Sequence, residues 1–231
     1  KAAIQAELPE QLLIEAEALV EEGWASNLND LLADALRRYL DSHSSRLAES
    51  FLREDVAWGL NARDEHSPSS VVCDAGPLIH LDELECLDLL SDFREILVPN
   101  RVWEEAVRHR PAALARKTPR IDRVIISEPV PPELEALNRL LGLHRGEQEA
   151  LQAATQRKSC MLLTDDTAAR LAARSLGLPV HGTIGVLIRA IRRKQKTKQE
   201  VIDLLGAIPN RTTLHIRAAL LHDVIRQVEV S

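Results

Sequence analysis

The sequence predicts an α/β protein, with a parallel β-sheet between layers of helices and a smaller module before it. Over the C-terminal two thirds of the chain, short apolar runs alternate with helical patterns, as is typical of a parallel sheet with helices on both faces. The charge is uneven, because residues 1–66 hold 6 Lys and Arg against 14 Asp and Glu, whereas residues 67–231 hold 23 against 21. This asymmetry indicates two modules, and the linker-like composition of residues 61–70 marks their boundary. We therefore expect segments at 1–43, 44–69 and 70–231.

The first module is predicted to contain a strand and two helices. Ile4, Ala6 and Leu8 alternate with polar or small residues, which is typical of a short strand. Pro9 suits the first position of a helix and Gly23 suits its end, and a second amphipathic run follows. This order resembles a ribbon-helix-helix module, the dimeric DNA-binding half of many antitoxins. The resemblance implies a homodimer through the N-terminal strand. Binding to an operator DNA is the weaker expectation, since the acidic segment would repel phosphates.

Five apolar runs are predicted to form the strands of the second module, and acidic residues follow them. The runs are 71–73, 95–99, 123–127, 160–164 and 178–180. In parallel sheets, functional residues gather at the carboxyl ends of the strands. The acidic residues at or near such positions are Asp74, Glu104, Glu105, Glu147, Asp165 and Asp166. Hard divalent cations prefer carboxylate oxygens, so the sequence predicts a site for Mg²⁺ or Mn²⁺.

Four motifs in this region resemble those of PIN domains. They read VVCDAGPLIHL, ILVPNRVWEEAV, LGLHRGEQEALQAA and LLTDDTAARLAARSLGLPVHGTIGVL, and they cover roughly residues 70–195. Within that superfamily they are most similar to VapC-like toxins. The resemblance implies an Mg²⁺- or Mn²⁺-dependent ribonuclease, acting through one or two ions. Its catalytic and metal-binding residues would be Asp74, Glu105, Glu147 and Asp165, with Asp166 as an alternative ligand to Asp165. The phase from Val102 favours Glu105 over Glu104.

Three further residues are candidates for contacts with a substrate phosphate. Thr164 lies beside Asp165, and Arg145 and Arg170 lie near the acidic residues in sequence. Each has a structural alternative. The Thr164 hydroxyl could satisfy backbone groups at a strand end, and Arg170 could pair with a neighbouring helix.

The segment before the sheet resembles the tail with which an antitoxin covers its toxin. Leu47, Phe51, Leu52, Val56 and Leu60 form an apolar stripe that needs a surface to cover. In related pairs an antitoxin Arg reaches the carboxylates of the toxin, and Arg53 or Arg63 could do so here. Phe51 and Trp58 would anchor this inhibitory tail. The alternative is an ordinary helix packed on its own domain.

Composition limits the remaining functions. The chain has 231 residues, 45% of them hydrophobic and 3% aromatic, which argues against aromatic stacking as the main mode of binding single-stranded bases. It has no apolar run of membrane-spanning length and no signal-peptide pattern at its start. Its cysteines at 73, 86 and 160 are odd in number and widely spaced, as in a reduced protein. We therefore expect a cytoplasmic protein with no membrane partner.

Together these patterns predict a fused toxin–antitoxin-type protein. Its PIN domain would be a metal-dependent endoribonuclease with an RNA substrate, held inactive by the N-terminal segment of the same chain or of a partner. The alternative is a dimeric DNA-binding transcriptional regulator whose PIN-like domain does not cleave.

Overall fold

The computed structural model describes residues 8–23, 25–42, 45–61, 70–111, 114, 119–157 and 159–231. For residues 37–42, 45 and 46 it describes the backbone. The chain divides into two compact units, Lys1–His43 and Ser44–Ser231. The predicted tail helix therefore belongs to the same unit as the sheet.

Among its described residues, the first unit contains two helices, α1 (Glu10–Glu21) and α2 (Leu28–Ser42). Pro9 precedes α1, and the chain leaves this helix through Gly23, whose φ of +78° is accessible to a residue without Cβ. No residue of α1 is buried, and Leu12 and Ile14 are 50% and 53% exposed. The predicted strand falls mainly on residues 1–7, outside the described residues. The ribbon-helix-helix arrangement stays a prediction.

The second unit is built on a five-stranded parallel sheet, so the predicted α/β fold is confirmed. Its strands are β1 (Ser70–Cys73), β2 (Glu95–Pro99), β3 (Asp122–Val124), β4 (Cys160–Leu163) and β5 (Val180–His181). Their order is β3-β2-β1-β4-β5, and Val72 of the central strand aligns with Leu97 on one side and Leu162 on the other. The helices are α3 (Ser45–Asn61), α4 (Ala75–Glu83), α5 (Asn100–His109), α6 (Pro132–Leu141), α7 (Arg145–Thr155), α8 (Thr167–Ser175), α9 (Thr183–Arg192), α10 (Lys198–Arg211) and α11 (Ala218–Val230).

The strand order places two acidic segments side by side. The chain runs outward from β1 in both directions, through β2 to one edge and through β4 to the other, so the order reverses between β1 and β4. Ligands bind at such a switch point in open α/β sheets. The backbone N–H of Asp74 donates to the carbonyl of Leu163 at 2.9 Å. The ends of β1 and β4, and the carboxylates that follow them, are therefore neighbours.

Helix α3 packs tightly on α9. Phe51 is 2% exposed and Val56 is also buried. Gly59 allows the backbones to come close, because a Cβ there would lie 2.7 Å from Cγ2 of Ile188. No helix in the described part of the chain is long and apolar enough to cross a membrane.

Candidate active site

Asp74 is the central carboxylate of the candidate site. It caps α4, and its Oδ1 accepts a hydrogen bond from the backbone N–H of Ala75 at 2.8 Å. Its Oδ2 accepts from the hydroxyl of Thr164, also at 2.8 Å. Burial raises the pKa of Asp74 to about 7, against the bond from Thr164 and with the help of the charges of Glu105 and Asp166. The Asp74 carboxylate is thus held in place but poorly compensated.

Asp165 differs from Asp74 because both of its oxygens accept short hydrogen bonds. Oδ1 accepts from the backbone N–H of Thr183 at 2.7 Å, and Oδ2 accepts from the Thr183 hydroxyl at 2.6 Å and from Nδ1 of His80 at 2.8 Å. Burial acts to raise the pKa of Asp165, but the bond and charge of His80 and the bonds from Thr183 outweigh it and lower the pKa below its ordinary value. The same contact raises the pKa of His80, although burial opposes it. Asp165 is therefore a compensated carboxylate whose side chain is 12% exposed.

Asp166 is the alternative to Asp165 as a metal ligand. It caps α8, where its Oδ1 accepts from the backbone N–H of Ala169 at 2.8 Å. Its charge acts on Asp74, and its own N–H donates to the Thr164 hydroxyl at 3.2 Å. Thr164 thus links Asp74 and Asp166 from a fully buried position. Of the two adjacent aspartates, Asp166 is the one whose charge raises the pKa of Asp74.

The structure distinguishes the two adjacent glutamates of α5. Glu104 is bound by the Asn100 side chain at 2.9 Å and pairs with Arg101 and Arg123 at 3.4 and 3.6 Å. Glu105 points instead towards the start of α7, where a Cβ on Gly146 would lie 3.3 Å from Oε2 of Glu105. Its charge also raises the pKa of Asp74. The catalytic role of Glu105 stays a prediction.

Glu147 is buried on the first turn of α7. Its Oε2 accepts a hydrogen bond from the backbone N–H of His144 at 2.8 Å, which fixes the start of the helix. Its neighbour Gly146 is the residue that Glu105 approaches. Glu147 therefore directly follows the residue that Glu105 approaches, and its described bond is that of a helix cap.

The carboxylates fit a hard divalent cation by their chemistry, although the described residues include no ready-made group of three metal-ligating side chains. All the donors are carboxylate oxygens, which Mg²⁺ and Mn²⁺ prefer. The pKa of Asp74 is raised in part by the charges of Glu105 and Asp166, and a bound cation would relieve that repulsion.

The predicted phosphate contacts lie in three different settings. Thr164 is buried and bonded to Asp74, and Arg170 is buried and paired with Asp55 of α3. In this arrangement the Thr164 hydroxyl binds a side chain, Arg170 pairs with a neighbouring helix, and neither residue is exposed. Arg145 is exposed at the beginning of α7, where a phosphate could approach it.

The two aromatic residues of the predicted tail pack within the unit that contains the sheet. Phe51 lies beneath the guanidinium groups of Arg170 and Arg174, whose Cζ atoms are 4.7 and 4.3 Å from its ring centre. Trp58 stacks on His181 at 4.2 Å. Both are therefore anchors of α3.

Arg53 does not occupy the position that an inhibitory arginine would need. Its side chain is 71% exposed and pairs with Glu49 on the outer face of α3. The prediction that Arg53 reaches the acidic residues finds no support in this position, because the helix turns Asp55 inward instead. Arg63 lies outside the described residues.

Sequence reasoning missed three residues around the site, namely His80, Thr183 and Asp55. Their partners lie far away in the chain: 85 residues separate His80 from Asp165, and 126 separate Asp55 from His181. No local pattern marks such pairs.

Comparison with known proteins gives one match. A family model described as a PIN domain matches residues 70–230. No curated protein and no solved structure matches the chain.

Proposed function

Because this chain belongs to the PIN-domain family, we propose that its residues 70–231 act as a divalent-metal-dependent endoribonuclease. PIN domains are generally nucleases and typically bind divalent metals. The observation that carries the proposal is the state of Asp74. It is a buried carboxylate at the switch point of the sheet, and its pKa is raised to about 7 by burial and by neighbouring carboxylates. Perturbed groups of this kind cluster at functional sites.

We propose Asp74, Glu105 and Asp166 as the residues that would hold the cation. A bound Mg²⁺ or Mn²⁺ supplies a Lewis acid for phosphate oxygens and lowers the pKa of a bound water. Asp74 is oriented for this role by Ala75 and Thr164. The motif resemblance to PIN domains would also place Asp165 and Glu147 in the catalytic set. Their hydrogen bonds favour supporting roles. Asp165 holds the start of α9 through Thr183, and Glu147 holds the start of α7 through His144.

Cleavage by the full chain tests this function. The parent protein is incubated with a labelled RNA, and with DNA of the same sequence, in Mn²⁺ and in EDTA. We expect RNA cleavage only with Mn²⁺, and its loss in Asp74→Asn. The matched control is Asp122→Asn, which removes an exposed carboxylate paired with Arg120 at the far edge of the sheet. Equal cleavage by Asp74→Asn and the parent would refute the assignment.

For the first unit we propose a dimerisation role of the ribbon-helix-helix type. Its helices expose Leu12, Ile14 and Leu36, and so small a module cannot bury a core of its own. A second copy would cover these side chains, with the N-terminal strands paired. Deleting residues 1–9 should convert a dimer into a monomer in analytical ultracentrifugation. A deletion variant that remains a tight dimer would move the interface elsewhere.

A competing proposal is the autoinhibited toxin–antitoxin fusion expected from the sequence, in which the full chain would cleave little RNA. Comparing the full chain with a version that lacks residues 1–66 tests it, since release of an inhibitor would raise cleavage. The alternative, a DNA-binding regulator with a non-cleaving PIN domain, predicts operator binding and no cleavage by either protein. The contacts of α3 favour a supporting role for that helix.

A further inference from the structure

Helix α3 brings a buried carboxylate, Asp55, to the carboxyl end of the edge strand β5. Asp55 is 1% exposed. Its Oδ1 accepts hydrogen bonds from Arg170, from Nδ1 of His181 at 2.9 Å and from the backbone N–H of Gly182 at 3.3 Å. A buried charge is costly unless it is paired and hydrogen-bonded. These three donors, from α8 and from the end of β5, make the position of Asp55 a defined one.

The same turn of backbone holds Asp165. Gly182 is followed by Thr183, whose N–H and hydroxyl bind the two oxygens of Asp165. A Cβ on Gly182 would lie 2.5 Å from Oδ1 of Asp165 and 3.3 Å from Oδ2 of Asp55. The backbone at Gly182 is therefore close to two carboxylates, the buried Asp55 of α3 and the partly buried Asp165 of the candidate site.

Arg170 compensates the negative charge at this point. Its Nη1 would lie 3.3 Å from the same Cβ position on Gly182, and its other terminal nitrogen binds Asp55. Without Asp55, the buried guanidinium would lose its partner, and the amide of Gly182 would lose its acceptor. The second loss falls one residue before Thr183, which binds both oxygens of Asp165.

The packing of α3 holds Asp55 in register with this turn. A Cβ on Gly185 would lie 3.2 Å from both the Asp55 carboxylate and the Trp58 ring. Trp58 stacks on His181, a second partner of Asp55, with 10° between the ring planes. Helix α3 therefore contacts residues 181–185 through Asp55 and Trp58.

We propose that Asp55 is a positioning residue of the nuclease site, and that α3 completes this site instead of blocking it. Asp55 acts through Gly182 and Thr183 on Asp165, and it does not itself touch substrate or metal. The inference rests on the proposed nuclease function. It reverses the role expected for an inhibitory tail, which would bring a cation to the acidic residues. Loss of α3 would then weaken cleavage, not release it.

Hydrogen–deuterium exchange of the full chain tests the positioning directly. We expect the amides of residues 181–185 to exchange about tenfold faster or more in Asp55→Asn than in the parent, since hydrogen bonds to charged groups are among the stronger ones. The matched control is Glu54→Gln, which removes the adjacent carboxylate of α3 and its more exposed pair with Arg174. Its exchange at 181–185 should equal that of the parent.

Cleavage kinetics provide the second readout. With Mn²⁺ saturating, Asp55→Asn should lower kcat about tenfold or more and leave KM for RNA nearly unchanged, because the residue lies away from the substrate. Arg170→Lys, which keeps the charge but loses the planar fork, should give a smaller change of the same kind and serves if Asp55→Asn does not fold. Unchanged exchange in both variants, or faster cleavage by Asp55→Asn, would overturn the proposal. If the parent cleaves no RNA, the nuclease function fails, while the exchange result still decides whether Asp55 holds the turn.

Discussion

Replacing Asp74 with Asn is expected to stabilise the folded protein at pH 8 when no divalent cation is present. Burial raises the pKa of Asp74 from its ordinary value of 3.8 to about 7, despite the hydrogen bond from Thr164. A carboxyl group with a higher pKa in the folded state binds its proton more tightly there. The stability that its protonated form contributes is present below pH 3.8 and is lost as the pH rises through 7.

The size of the effect follows from the same values. At 1.36 kcal/mol for each pH unit, a rise from 3.8 to about 7 means that the ionised carboxylate costs about 4 kcal/mol above pH 7. Asn has one acceptor oxygen, so it keeps only one of the bonds from Ala75 and Thr164 and loses about 1 kcal/mol. We therefore expect a net gain of about 1 to 3 kcal/mol at pH 8, shrinking as the pH falls towards 4.

Urea unfolding in EDTA at pH 8 and pH 5 measures this difference. The control variant is Asp88→Asn, which changes an exposed carboxylate on the turn after α4 and should leave the free energy of unfolding within about 0.5 kcal/mol of the parent. Added Mn²⁺ should stabilise the parent more than Asp74→Asn, since binding to the folded state raises its stability. An Asn variant that is less stable than the parent by the same amount at both pH values would refute the reasoning.

Four further variants, one of them a control, test the surroundings of the site. Phe51→Ala should lower the free energy of unfolding by about 3 to 5 kcal/mol, whereas Arg53→Ala on the exposed face of the same helix should change it by less than about 0.5 kcal/mol; urea unfolding compares them. Gly182→Ala would place a Cβ 2.5 Å from Asp165, so thermal unfolding should show a loss of about 1 to 3 kcal/mol. Although burial opposes it, the hydrogen bonds of Asp165 hold its pKa below the ordinary value. The stability they contribute is present at neutral pH and lost as the pH falls through the folded pKa. Thr183→Val should therefore destabilise the protein at pH 7, and unfolding curves should show this difference shrinking as the pH falls below 3.8.

The strands and the residues that end them were predictable because their signal is local. An apolar run followed by Asp74, and another followed by Asp165, indicate buried strands whose carboxyl ends carry charge. The observed strands match the predicted runs at 95–99 and differ elsewhere by a few residues at their ends. The pairing of β1 with β4 was not predictable from the pattern, since their register joins residues 90 positions apart.

The division of roles among the acidic residues depended on the direction of each side chain. Asp165 and Asp166 are adjacent, yet one turns towards Thr183 and the other caps α8. Sequence reasoning left that choice open. Asp55 was not predicted for a different reason. The apolar stripe on α3 gave no sign that a carboxylate beside it would be buried, because its partners Arg170 and His181 lie far away in the sequence.

The most direct measurement is a calorimetric titration of Mn²⁺ into the full chain, with two adjacent glutamates compared. Glu105→Gln removes a carboxylate whose charge acts on Asp74, whereas Glu104→Gln removes one that is paired with Arg101 and Arg123. If the carboxylates at the switch point form the metal site, the parent and Glu104→Gln bind Mn²⁺ alike, and Glu105→Gln binds it about tenfold more weakly or worse. Equal affinity in all three proteins, or no binding by the parent, would contradict the account.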